Sequence, residues 1–142
     1  MTDDQLSRFV DAQAGGTYES ALAELRRGRK TGHWMWFVFP QLRGLGRSST
    51  AEFYGLRELG EARAYADHSV LGPRLVECAE AVLASEAASA EALLGGIDAL
   101  KLRSSMTLFE RARADQPVFG RVLDRFYSGE RDERTLGMLG FP

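Results

Sequence analysis

The sequence predicts an all-α fold: a compact single-domain bundle of about six to eight short helices spanning residues 1–142. Three observations predict it. The chain holds 18 Leu and 18 Ala against 7 Val and 1 Ile. Leu and Ala cost little in a helix, whereas β-branched side chains lose rotamer freedom there and favour strands. Apolar residues recur at spacings of three and four, and Gly, Ser and Asp punctuate those stretches where helices start and stop. Hydrophobic residues make up 44% and charged residues 27%, which excludes a disordered chain. A domain of this length buries roughly 68–70% of its unfolded surface, enough for a core without metal or disulfides. The lone Cys78 excludes an intrachain disulfide framework and any cysteine-only zinc site.

The first helix is expected over Asp3–Gln13, with Leu6, Phe9, Val10 and Gln13 on one face. Gly15-Gly16 breaks it. Thr17 is expected to cap a second helix buried through Tyr18, Ala21, Leu22 and Leu25, stopping near Gly28 or Gly32. Residues 33–42 (His33-Trp34-Met35-Trp36-Phe37-Val38-Phe39-Pro40-Gln41-Leu42) are apolar almost throughout. Periodicity therefore fits either a strand or a buried helical turn, and Pro40 limits both. After a Gly44-Leu45-Gly46 loop, Ser49 to Glu52 has capping-box spacing and should open a short helix carrying Phe53 and Leu56.

Glu61–Asp67 reads as a short helix with Tyr65. Ser69 to Ser85 is the clearest, with Leu71, Leu75, Cys78 and Val82 at helical spacing and Pro73 near its first turn. Ser89–Leu94 is brief. Asp98 is expected to cap a helix from about Ala99 to Ala112. Asp115 and Pro117 open the next, with Phe119, Val122, Leu123 and Phe126 inward and Gly129 at its end. Asp132 caps the last, which carries Leu136 and Leu139. No apolar run reaches the roughly 18 residues of a membrane span, and the start, Met1-Thr2-Asp3-Asp4, is acidic, unlike a signal peptide. The expectation is a soluble cytoplasmic protein without membrane contact.

Net charge is −2, which gives no global pull towards nucleic acid. The distribution says more. Leu25–Ala51 holds Arg26, Arg27, Arg29, Lys30, Arg43 and Arg47 with no Asp or Glu, a local +6 that leaves −8 elsewhere. Both tryptophans, Trp34 and Trp36, lie in the same stretch with Phe37 and Phe39. One reading is a pocket for an anionic aromatic ligand, with cations on phosphate and an indole stacked on a base. The other is a core with a solvated basic rim that complements a helix C-terminus. Lysine is rare, 2 against 16 Arg, so Lys30 and Lys101 stand out. A lysine offers a compact charge that arginine cannot.

Familiar motifs fail. Gly44-Leu45-Gly46-Arg47-Ser48-Ser49 lacks the third glycine of a dinucleotide fingerprint, and Gly28-Arg29-Lys30-Thr31 lacks the first glycine of a phosphate-binding loop. Two histidines and one cysteine cannot build a histidine-rich metal site, although carboxylates could still assemble one; no metal ligand and no cofactor is assigned. His33 is the best acid–base candidate, since imidazole titrates nearest neutral pH. His68, beside Asp67 at a helix boundary, reads as structural. Ser104, Ser105 and Thr107 put three hydroxyls in four positions of an expected helix. Either they face a ligand or they let helices pack closely.

These segments resemble a bacterial domain-of-unknown-function family, number 1810, some of whose members are labelled calpastatin. The resemblance rests on Arg8 to Gln13, Gly28-Arg29-Lys30, His33 to Gly46, Glu61 to Tyr65, Leu71 to Leu75 and Lys101 to Phe109. It implies a compact, mainly helical, monomeric domain and supplies no established activity. The calpastatin label does not suit this chain, because calpastatin inhibitory regions are disordered. One departure is Ala66, where the family pattern has Leu. A more distant likeness is to the NADAR superfamily, linked to NAD and ADP-ribose chemistry. It carries over Gln13 alone, and that family's acidic residue beside its leading His has no match here.

Three functional readings follow. The first is a small enzyme acting on a nucleotide-like or ADP-ribose-like substrate by N-glycosidic hydrolysis, with His33 and Lys30 catalytic. Gln13, Trp34, Trp36, Gln41, Arg43, Lys101, Ser104 and Ser105 would bind the substrate. The second is a non-catalytic module for an anionic small molecule or single-stranded nucleic acid. The third makes the aromatic segment purely core.

Overall fold

A computed structural model of the chain describes residues 3–141, with side chains from residue 5 onward. Met1 and Thr2, part of the acidic start, lie outside the described residues. Ten helices follow in order: α1 (Asp3–Gln13), α2 (Thr17–Arg27), α3 (Met35–Val38), α4 (Ser49–Tyr54), α5 (Leu59–Asp67), α6 (Leu71–Ala84), α7 (Ala90–Leu94), α8 (Gly96–Ala112), α9 (Val118–Phe126) and α10 (Glu133–Leu139). The fold is all-α as expected. The count exceeds the expected six to eight because α3, α4 and α7 are helices of one or two turns. No strand forms among the described residues. Residues 41–43 and 56 meet in one isolated parallel bridge, with Arg43 N–H donating to Leu56 O at 2.8 Å and Leu56 N–H to Gln41 O at 3.0 Å.

Helix α8 is the centre. It packs on α5, α7, α9 and α10, while α6 joins α2, α5 and α9, and α1 sits on α2 and α3. Ser104 to Phe109 are six consecutive buried residues, so mid-α8 is enclosed on all sides. One continuous core runs through these helices, and the stripes read from spacing are in it: Leu6 and Phe9, then Tyr18 to Leu25, then Leu71, Leu75, Cys78 and Val82.

Several boundaries differ from expectation, each for a local reason. Gly16, at φ 89°, holds the N-cap position of α2 and no side chain caps it, so Thr17 is the first helical residue rather than the cap. Ser48, not Ser49, caps α4 by accepting Ala51 N–H at 3.0 Å. Leu56 lies beyond α4, fully buried at the bridge, and Phe53 is exposed. Glu58 caps α5, accepting Glu61 N–H at 2.8 Å. His68 is structural as expected: its Nδ1 accepts from Val70 N–H and Leu71 N–H, at 3.1 and 3.2 Å, ahead of α6. Asp98 sits inside the first turn of α8 and makes no cap. Asp132 caps α10, as read.

Candidate functional site

The short α3 settles the apolar 33–42 segment as a helical turn and separates its two indoles. Trp34 is 3% exposed and belongs to the core, its ring centroid 6.3 Å from that of Phe39. Trp36 is half-buried and lines a surface cleft of about 470 Å³ with Lys30, His33, Leu94, Gly95, Gly96, Ile97, Asp98 and Lys101.

Here the chain's two lysines converge. Lys30 Nζ lies 2.7 Å from Asp98 Oδ2, and Lys101 Nζ lies 3.7 Å from Asp98 Oδ1. Each ammonium also sits over an indole, Lys30 at 5.1 Å from the Trp34 ring and Lys101 at 4.4 Å from the Trp36 ring. Lys30 donates further to Gly32 O at 2.5 Å. Its side chain is 8% exposed, a place that suits a compact ammonium better than a guanidinium fork. Two ammoniums against one carboxylate leave one unit of positive charge. The cleft opens at the start of α8, whose N-terminus carries no side-chain cap. Ile97, 74% exposed, gives it an apolar edge.

The loop that presents Lys30 and His33 is held by Glu24, near the end of α2. Its Oε1 accepts Thr31 N–H at 2.7 Å, Gly32 N–H at 2.9 Å and the Trp34 indole N–H at 2.9 Å. Burial by itself would raise this carboxyl. The three donors outweigh burial and hold it at about 2. Lys30 N–H adds a tie to Leu93 O at 2.8 Å, fixing the loop against the end of α7.

The other sequence candidates are placed elsewhere. Gln13 is 1% exposed and donates to Phe37 O at 2.8 Å and Tyr65 Oη at 3.2 Å, while its Oε1 accepts from Arg74 at 3.2 Å. It is a buried clamp between α1, α3 and α5, away from the lysine cleft. Gln41 takes part through its backbone carbonyl at the bridge. Arg43 lines a different cleft, with α1 and α4. Ser104 donates to Asp132 Oδ2 at 3.1 Å and to Leu100 O at 3.3 Å, and Thr107 Oγ1 accepts Asp132 N–H at 2.9 Å. These hydroxyls dock α10 onto α8. Ser105 is fully buried. Thus Lys30, His33, Trp36 and Lys101 are gathered into one site, and Gln13, Trp34, Gln41, Arg43, Ser104 and Ser105 do not line it.

Asp98 and Glu24 were missed as site residues, and both left a signal. Asp98 precedes Lys101 by three, an ion-pair spacing on a helix. Glu24 is an acid near a helix C-terminus, where the dipole disfavours it. Burial pushes the Cys78 thiol up to about 12, so it is held as an unreactive thiol. No group of three or more His, Cys, Asp or Glu placed to hold a metal occurs among the described residues. No helix among them is long and apolar enough to cross a membrane.

Fold and cleft define a small all-α domain with a lysine–tryptophan cleft at the head of its central helix. The chain belongs to the family described as protein of unknown function (DUF1810), which it matches over residues 3–139. It is similar to the crystal structure of the conserved hypothetical protein Rv1873 from Mycobacterium tuberculosis, with 52% identity and a TM-score of 0.93. The match covers 96% of this chain and 97% of that one. No match is found among curated proteins.

Proposed function

We propose that the cleft at the head of α8 binds a small anionic molecule with a planar ring, of the nucleotide or ADP-ribose class. The observation that carries this reading is the convergence of Lys30 and Lys101 on Asp98, each ammonium over an indole, beside His33. Lys101, with a side chain 19% exposed, is the cation that meets an incoming phosphate. The first-turn amides of α8 add donors of the same polarity. Trp36 offers the ring surface, and Ile97 covers the apolar edge. Trp34 supports the loop from the core and does not stack on ligand.

A catalytic version is favoured by one further observation: a carboxylate, Asp98, and an imidazole, His33, line the same cleft. Hydrolysis of an N-glycosidic bond adds water across carbon and nitrogen. Hydroxide goes to the sugar carbon and a proton to the departing base. His33 would take the proton from water and pass it to the departing base, and Lys30 would steady the negative charge building on that base.

Thermal shift of the full chain with NAD, ADP-ribose, mononucleotides and sugar phosphates tests binding. A ligand at 100 times its Kd adds about 2.7 kcal/mol, a rise of roughly 9 °C for a chain of this length. Lys101→Ala should abolish the rise without changing the ligand-free Tm by more than a few degrees. A flat panel refutes the reading. For any ligand found, chromatography of the free base separates turnover from binding. His33→Ala should keep the binding and lose the turnover.

A further inference from the structure

A second cleft, of about 820 Å³, is built by α1, α4 and the start of α5, separate from the lysine cleft and independent of the function proposed for it. Its floor is an ion pair already satisfied. The Glu61 side chain, 5% exposed, lies 3.6 Å from Arg8 and accepts Arg57 N–H at 2.9 Å. Arg8 spends its guanidinium on the carbonyls of Gln5, Phe53 and Gly55. Those three bonds and Glu61 make Arg8 a staple between α1 and the end of α4.

Two more guanidiniums stand above that floor. Arg57 bonds Gln5 Oε1 and lies 3.7 Å from Glu61, with its side chain 47% exposed. Arg43 is exposed and donates through Nε to Glu52 O at 3.0 Å. Its terminal nitrogens have no partner among the described residues. Among the described residues the acids lining this cleft are Glu61 and Asp11, set against three arginines. Burial lowers the Arg8 pKa, Glu61 opposes this, and Arg43 and Arg57 add to the lowering. Arg43 and Arg57 are therefore each close enough to repel Arg8. An added anion relieves that repulsion.

The wall beside them is aromatic. Phe53 is 56% exposed and stands edge-on to Tyr54 with centroids 4.8 Å apart. Tyr54 is anchored in turn by Phe9 and Phe37, at 5.8 and 5.4 Å. An aromatic pair next to forked guanidinium donors matches a ligand with a ring at one end and a planar or tetrahedral oxyanion at the other.

We infer that this second cleft binds an oxyanion carried on an aromatic ring, an aryl carboxylate or aryl phosphate. Arg43 and Arg57 hold the oxyanion, and Phe53 and Tyr54 hold the ring. Arg43 is then a ligand-binding residue of this cleft and not of the lysine cleft.

The test is an amide NMR titration of the full chain with phenyl phosphate, phthalate, inorganic phosphate and benzyl alcohol at millimolar concentration. Phenyl phosphate or phthalate should give saturable shifts at Arg43, Phe53, Tyr54, Gly55 and Arg57. Preference for one of the two distinguishes phosphate from carboxylate. Inorganic phosphate and benzyl alcohol should each bind at least tenfold more weakly. Arg43→Gln should cut affinity at least tenfold, and Arg57→Gln does the same should the first variant fail to fold. Lys101→Ala should leave these shifts unchanged. The inference is overturned by no saturable shift with either aryl anion, by unchanged affinity in a folded arginine variant, or by shifts confined to Trp36 and Lys101. Equal affinity for inorganic phosphate overturns the role of the ring.

Discussion

Replacing Glu24 with Gln keeps the shape of the loop clamp and removes its charge. The clamp collects two backbone amides and the Trp34 indole on one carboxylate oxygen. Its carboxyl is held at about 2 against an ordinary 4.5. At about 1.36 kcal/mol per pKa unit the ceiling on its contribution is roughly 3 kcal/mol. Solvent at the loop edge screens part of that, leaving about 1–2 kcal/mol. For a chain of this length 1 kcal/mol is about 3 °C in Tm, so Glu24→Gln should melt about 3–6 °C below the parent at pH 7. Because the folded-state pKa is depressed, the contribution is complete above pH 4.5 and is lost as pH falls towards 2. More than half the difference between the two proteins should be gone by about pH 3. Paired thermal melts from pH 7 to pH 2.5 measure it. A difference that stays constant across that range would show that shape, not charge, holds the loop, and the reasoning would be refuted.

Other substitutions probe the remaining joints. Lys30→Met leaves Asp98 with Lys101 as its cation and removes the bond to Gly32 O. Urea denaturation should show a loss of about 1–3 kcal/mol, and adding Asp98→Asn should recover part of it. Trp34→Ala should cost about 3–5 kcal/mol, as for a buried aromatic. Trp36→Ala, at a half-buried site, should cost about 1–2 kcal/mol, and equal losses would contradict their assignment to core and cleft. Gly72→Ala puts a methyl group 2.2 Å from Ala66 O, where α5 and α6 approach. The backbone must shift, at about 1–3 kcal/mol or more, and an unchanged midpoint would contradict the close contact.

How far the sequence could be read depended on how local each decision was. Helix ends marked by their own residues, such as Gly28, Ser89 and Asp132, were legible because capping is settled within a few residues. Residues 33–42 were not, since a uniformly apolar stretch has no period and packing on α1 and α4 decided for a helical turn. The basic run between Leu25 and Ala51 reads as one unit, but α3 turns the chain so that Lys30 and Arg43 line different clefts, and Arg26 pairs with Glu77. Lys30 and Lys101 stand out by rarity and, for Lys30, by its place in the acid-free basic run. Their meeting at Asp98 joins residues far apart in sequence, which no local pattern encodes. Three hydroxyls close together are unusual inside a helix, and the sequence fits ligand contact and close packing equally. Ser104 and Thr107 turned out to serve the docking of α10.

The enclosed middle of α8 has a consequence for how this domain can change over time. A helix with a solvent-facing stripe can exchange residues there freely, but Ser104 to Phe109 face packed neighbours in every direction. A rotation or slide of α8 would disturb α5, α9 and α10 together. The helix is therefore a fixed post, and Asp98 and Lys101 at its head inherit that fixity. Latitude lies in the Arg29–His33 loop, hung on Glu24 and facing the post, and in the exposed Ile97 and Leu100 on the first turns of α8, outside its enclosed middle. Homologous domains with different ligand preferences should differ at those positions and keep the post.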